Sequence, residues 1–204
     1  MKSTSSSQTS KRSTTSRSQT KSSATTATRS RSSGTQAKRA TRSDAVKSLK
    51  DDHARVKKLF QAFQAAKEKG AVEEKTRIAA ETCMELKIHT QLEEEIFYPA
   101  LRAALREEGE LLDEAEIEHA SAKELIAQLE GNRDVKSTRY DALYMVLSEY
   151  VQHHVKEEEK EMFAKARSAK SLDLQALGET MAQRREELMA EYGQAAGARG
   201  GAMH

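Results

Sequence analysis

Two stretches of the chain each set a histidine four residues ahead of a glutamate: His89 and Glu93 in HTQLEEEIFYP, and His154 and Glu158 in HVKEEEKEMFA. On a helix, positions i and i+4 share a face, so each pair aims an imidazole and a carboxylate at the same region. Two further histidines, His53 in DDHARV and His119 in IEHA, stand 36 and 35 residues upstream of His89 and His154. Their flanks agree as well. DDHARVKKLFQAF and IEHASAKELIAQL both place an acid directly before the histidine and apolar residues six, seven and ten positions after it. The spacing predicts an internal repeat in which equivalent inward positions of two halves meet near one axis. A mixed set of imidazole and carboxylate donors suits iron, manganese or zinc.

One histidine on an apolar stripe is ordinarily a hydrogen-bonded core residue. Four at repeated positions, joined by Glu93 and Glu158 on stripes that also carry Leu86 and Ile96 or Val151 and Met162, call for another account. A buried carboxylate without a charged partner is costly, and a cation relieves that cost. Glu94, Glu95, Glu157, Glu159 and Glu161 read instead as solvated faces. His153, about 100° around the helix from His154, reads as a surface or supporting residue, and His204 as no ligand.

The elements that must position these groups are helices. Asp44 is an expected N-cap, followed by Val46, Leu49, His53, Val56, Phe60 and Phe63 at helical spacing until Gly70. A second helix begins near Val72, and Pro99 should kink or end it because its ring removes the bond to the carbonyl of Glu95. A third spans roughly 110–129, a fourth about 137–166, and a last amphipathic segment about 171–192 precedes a glycine-rich end expected to be loose. Short connections predict an all-α, up-and-down four-helix bundle, with the extra C-terminal helix outside it or at a partner interface.

Composition divides the 204 residues into a tail (1–43), a bundle (44–166) and a C-terminal part (167–204). Ten of the 34 basic residues lie in 1–43, which has no acid and little apolar; the other 24 face all 32 acids, so a basic tail adjoins an acidic body. Such a tail cannot bury enough apolar surface to order itself and is expected to be disordered, as a phosphate-binding arm for nucleic acid without sequence preference or as a solubilising segment. It lacks the apolar run of a secretory signal and the Leu or Phe of an amphipathic transit peptide, and no run suits a membrane span. With the single Cys83, these features predict a cytoplasmic protein.

Together DDHARV, HTQLEEEIFYP, IEHA and HHVKEEEKEMF resemble the haemerythrin-like, HHE cation-binding family across about residues 44–166. The resemblance implies a four-helix bundle around a non-haem di-iron centre, with His53, His89, His119 and His154 as terminal ligands and Glu93 and Glu158 as bridging carboxylates. Oxygen-carrying haemerythrins are similar but have another histidine where this chain has Ala115, and end in HxxxxD rather than HxxxE. Water, Glu116 or His153 are the candidates to fill that position. The more open coordination implied favours exchange, peroxide chemistry or weak iron retention over reversible oxygen carriage, and the absence of a further residue set resembling a substrate site points to a protein that binds or senses O₂, NO or iron. The alternatives are a redox enzyme removing peroxide or NO, and a nucleic-acid-associated iron-protective protein acting through its tail.

Overall fold

The computed structural model describes residues 43–105 and 109–200, with side chains to 194. The tail, but for Ser43, and His204 lie outside these residues. Helix α1 (Ala45–Glu68) starts as expected: the carboxylate of Asp44 accepts from the backbone N–H of Lys47 at 2.9 Å. It stops at Gly70, whose φ of 66° is one a side chain would resist. Then follow α2 (Val72–Leu92), α3 (Tyr98–Ala104), α4 (Gly109–Gly131), α5 (Thr138–Glu157), α6 (Phe163–Ser168) and α7 (Leu174–Gly200). Among the described residues there is no strand, and the helices form a bundle.

Pro99 neither ends nor starts the irregularity in the second helix. Between α2 and α3 the backbone widens into a π-helical turn, Glu93–Phe97, closed by the N–H of Tyr98 on the carbonyl of Glu93. The same device joins α5 to α6 at Glu158–Met162, closed by Phe163 on Glu158, with no proline nearby. Both wide turns begin on the glutamates of the HxxxE pairs, and such turns are frequent where a helix carries function. Proline is therefore not their common cause, and α3 continues through Pro99 to Ala104.

Helix α1 lies against α2 and α4 against α5, and the two pairs meet through α1 with α5 and α2 with α4. The buried apolar side chains fall into two clusters. One gathers Leu49, Leu92, Phe97, Leu112 and Phe163; the other gathers Phe63, Ile78, Ile126, Tyr144 and Leu147. Along α1 the first cluster ends at Leu49 and the second begins at Val56, with Asp52 and His53 between. The histidines and glutamates thus form a polar layer between two apolar ones.

The extra helix packs on the outside of α1 and α2, burying Met181 and Leu188. It runs to Gly200, past the end expected near 192. Its approach to the start of α1 is so close that a Cβ on Gly178 would collide with the carbonyl oxygen of Ser43. Only glycine fits there.

Candidate metal centre

The structure brings together all six residues singled out by spacing. His53, His89, His119, His154, Glu93 and Glu158 are each at most 6% exposed. Their inward atoms form a closed circuit. His53 Nε2 lies 3.2 Å from His89 Nε2 and 3.2 Å from Glu158 Oε2; His89 Nε2 lies 3.1 Å from Glu93 Oε2. Across the axis, His119 Nε2 is 3.1 Å from His154 Nε2 and 3.4 Å from Glu93 Oε2, and His154 Nε2 is 3.4 Å from Glu158 Oε2. Each glutamate therefore touches one histidine of its own half and one of the other.

The donor set fits metal ions. Two ligands about 2.1 Å from one ion and at right angles to each other stand about 3.0 Å apart, close to the spacing of both histidine pairs. Both oxygens of Glu93 and Oε2 of Glu158 are buried without an aligned hydrogen bond, a costly state for carboxylates unless a cation meets them. His53, His89, Glu93 and Glu158 make one group able to hold an ion; Glu93, His119 and His154 make a second.

Every imidazole turns its other nitrogen, Nδ1, outward to a carboxylate. Within each half, the acid preceding one histidine supports the other: Asp52 Oδ2 lies 3.4 Å from His89 Nδ1, and Glu118 Oε2 lies 2.7 Å from His154 Nδ1. Between halves, Glu159 lies 3.0 Å from His53 Nδ1 and Glu94 lies 3.0 Å from His119 Nδ1. Such partners fix ring orientation and leave Nε2 free for a metal. Asp52 and Glu118 stand directly beside histidines in the sequence. Glu94 and Glu159, which the helical pattern reads as solvated, do more than that, and the signal that would have found them is the repeat itself, which aligns the two. Glu95 fits the solvated reading only in part, since its carboxylate accepts from Arg184 of α7.

Charge follows from this packing. Burial disfavours the ionised form of Glu93, but the charge of His89 and the contacts with His119 outweigh it and hold the carboxyl well below its ordinary range. Burial likewise opposes protonation of His89 and His119, yet Glu93 and Asp52 raise His89 well above the ordinary imidazole value, and Glu93 with Glu94 raises His119 to about 9. Without metal, protons on these rings balance the carboxylates.

The two halves differ at Tyr98. The Tyr98 ring stacks on His119 as the Phe163 ring stacks on His53, and the repeat aligns these two positions. The Tyr98 hydroxyl donates to Glu158 Oε1 at 2.9 Å and lies 3.4 Å from His119 Nε2. Neither side-chain candidate for the position of the missing histidine reaches it. Ala115 is buried in the core, Glu116 is exposed and bonded to Arg102, and His153 is exposed beside Glu157. Beside the histidines a cavity of about 20 Å³, room for one small molecule, is lined on its apolar side by Val56, Leu86, Ala122, Val151 and Val155. Leu86 and Val151 line it, whereas Leu147 is buried in the adjoining cluster and Ile96 packs against the other one.

Comparison with known proteins agrees with this geometry. The sequence profile described as the hemerythrin HHE cation binding domain matches residues 44–166. A search of curated proteins finds no significant match. Among solved structures, the chain is similar to a hemerythrin HHE cation binding domain-containing protein from Mycobacterium kansasii, with 28% identity and a TM-score of 0.61 over 73% of this chain and 89% of that one.

Proposed function

The chain belongs to the hemerythrin HHE cation binding domain family, and from that premise we propose that its bundle holds a non-haem di-iron centre and binds or senses O₂, NO or iron. His53 and His89 would hold one ion, His119 and His154 the other, with Glu93 and Glu158 shared between them. The observation that carries this reading is the circuit of four Nε2 atoms and two buried carboxylates, with both oxygens of Glu93 and Oε2 of Glu158 lacking an aligned hydrogen bond. When bound, a pair of ferrous ions supplies electrons to a small oxidant or diatomic ligand.

The chain's own residues do the rest. Asp52, Glu94, Glu118 and Glu159 orient the four rings from outside. Val56, Leu86 and Val151 exclude bulk water from the cavity, which admits a ligand of a few atoms. A second reading, removal of peroxide or NO by turnover, is favoured by Tyr98. Its hydroxyl donates to Glu158 Oε1 and lies 3.4 Å from His119 Nε2, a hydrogen-bond donor placed among the candidate ligands. Burial and the charges of Glu158 and Glu93 push its pKa well above the ordinary phenol value, so it keeps that proton at neutral pH. The basic tail carries the remaining proposal, an association with nucleic acid.

Metal content by mass spectrometry, with optical spectra before and after peroxide, tests the assignment on wild type and on Glu93→Ala/Glu158→Ala. About two irons per chain in wild type and a charge-transfer band absent from the double variant are expected. Wild-type protein that carries no metal, and takes up none on anaerobic addition of iron(II), would refute it. Stoichiometric uptake separates binding from repeated consumption of peroxide or NO.

A further inference from the structure

Repetition makes the four supporting carboxylates equivalent in pairs, yet their surroundings are unequal. Glu118, behind His154, has no arginine or lysine bonded to it among the described contacts. Asp52, behind His89, is enclosed. Its Oδ1 accepts from Arg55 at 3.2 Å, and its Oδ2, the oxygen that faces His89 Nδ1, also accepts a short bond from Arg185 of α7. Glu85 completes the arrangement, accepting from Arg55 at 2.6 Å and lying 3.8 Å from Arg185. Two guanidinium groups and two carboxylates form a neutral ring that holds Asp52, whose side chain is only 3% exposed. Helix α7 lies outside residues 44–166, the part matched to the family.

We propose that Arg185 is a positioning residue of the metal centre: α7 reaches over the bundle and pins the carboxylate behind His89, so that the His53/His89 half is ordered by a helix the His119/His154 half lacks. A guanidinium suits this place because its planar fork spans two carboxylates in fixed geometry, which an ammonium does not. Helix α7 keeps other anchors, Met181 and Leu188 in the core and Arg184 on Glu95 at 2.8 Å, so loss of Arg185 leaves it docked. What is lost is the fixed place of Asp52, and through it the orientation of the His89 ring. The inference rests on the metal reading above.

Cobalt(II) titration of the metal-free full chain tests it, with the proton NMR signals of the imidazole N–H groups shifted by the bound ions as a second readout. Wild type is expected to take up two ions and show four such signals. Arg185→Gln should bind one of the two ions about tenfold more weakly, the size seen when a group supporting a ligand histidine is changed. One N–H signal should be lost to faster exchange with water. Arg185→Lys should restore part of the affinity, and Arg184→Gln should change neither readout. Arg185→Gln with wild-type constants and all four signals would overturn the proposal while leaving the metal assignment intact. So would equal losses in Arg184→Gln and Arg185→Gln, which would mark simple helix docking. Failure of wild type itself to bind cobalt or show the shifted signals would overturn the metal assignment and the proposal with it.

Discussion

Metal and proton compete for the same nitrogens, and the competition has a calculable size. His119 in the metal-free protein has its pKa raised to about 9, so about 1% of molecules at pH 7 present it unprotonated. An ion taken up by His119 and His154, as proposed, would have to expel that proton, a handicap of about 2.7 kcal/mol at pH 7 that shrinks by about 1.4 kcal/mol for each unit of pH. His89 is also raised well above its ordinary value and opposes loading of the other ion in the same direction. Glu93 is held ionised and contributes no proton. Between pH 6.5 and 8.5 the binding constant for iron(II) at His119 and His154 should therefore rise about eightyfold, with about one proton released, and that of the other ion should rise in the same direction. Anaerobic calorimetry in two buffers of different ionisation enthalpy measures both quantities. Metal-free stability should move the other way. A histidine whose folded pKa is raised contributes stability that is complete below its unfolded value of about 6.5 and is lost as pH rises through 9, at most about 3 kcal/mol here. Binding constants flat across the window, with no proton release, would refute this account of the site's charge.

Tyr98→Phe should fold, since Phe163 fills the aligned place, and should lose about 1.5–3 kcal/mol for a bond to a charged group; denaturation of the metal-free form and the optical spectrum of the iron-loaded form read the two effects. Glu94→Gln should lower metal affinity about tenfold with little change in helicity by circular dichroism, because the carboxylate on His119 Nδ1 is replaced by an amide. Gly178→Ala should cost about 1–3 kcal/mol in chemical denaturation, since its Cβ meets the backbone of Ser43 and Ala45. Removing residues 1–43 should abolish DNA retardation in a gel shift at low salt, and unchanged affinity would exclude a nucleic-acid role for the tail.

The six central residues were legible because type, spacing and repetition agreed at each of them. His53 with His119 and Glu93 with Glu158 are the same positions read twice. The fold class followed from periodicity for the same reason: alternating polar and apolar positions on one helix are a property of that helix alone. What escaped depends on more than one helix. Glu94 lies to the side of the inward stripe, and only the packing of α4 alongside puts His119 within its reach. Arg185 could not be assigned from its own segment, because its partner Asp52 is brought to it by the docking of α7. The wide turns were missed because Pro99 gave reason to expect only a kink or an end, and the matching turn at Glu158 has no such residue to mark it.

The exchange of contacts between the halves bears on how such a chain could arise. Glu93 touches His119 as well as His89, Glu158 touches His53 as well as His154, and Glu94 and Glu159 each support a ring of the opposite half. Neither half alone holds a complete set of donors, but two copies of a single half, related by a true twofold axis, would present the same six. A duplication of a dimer-forming helical hairpin would then preserve the centre from its first generation. Fusion would free the two copies to diverge, and Tyr98 opposite Phe163 is a difference that an identical pair could not have possessed.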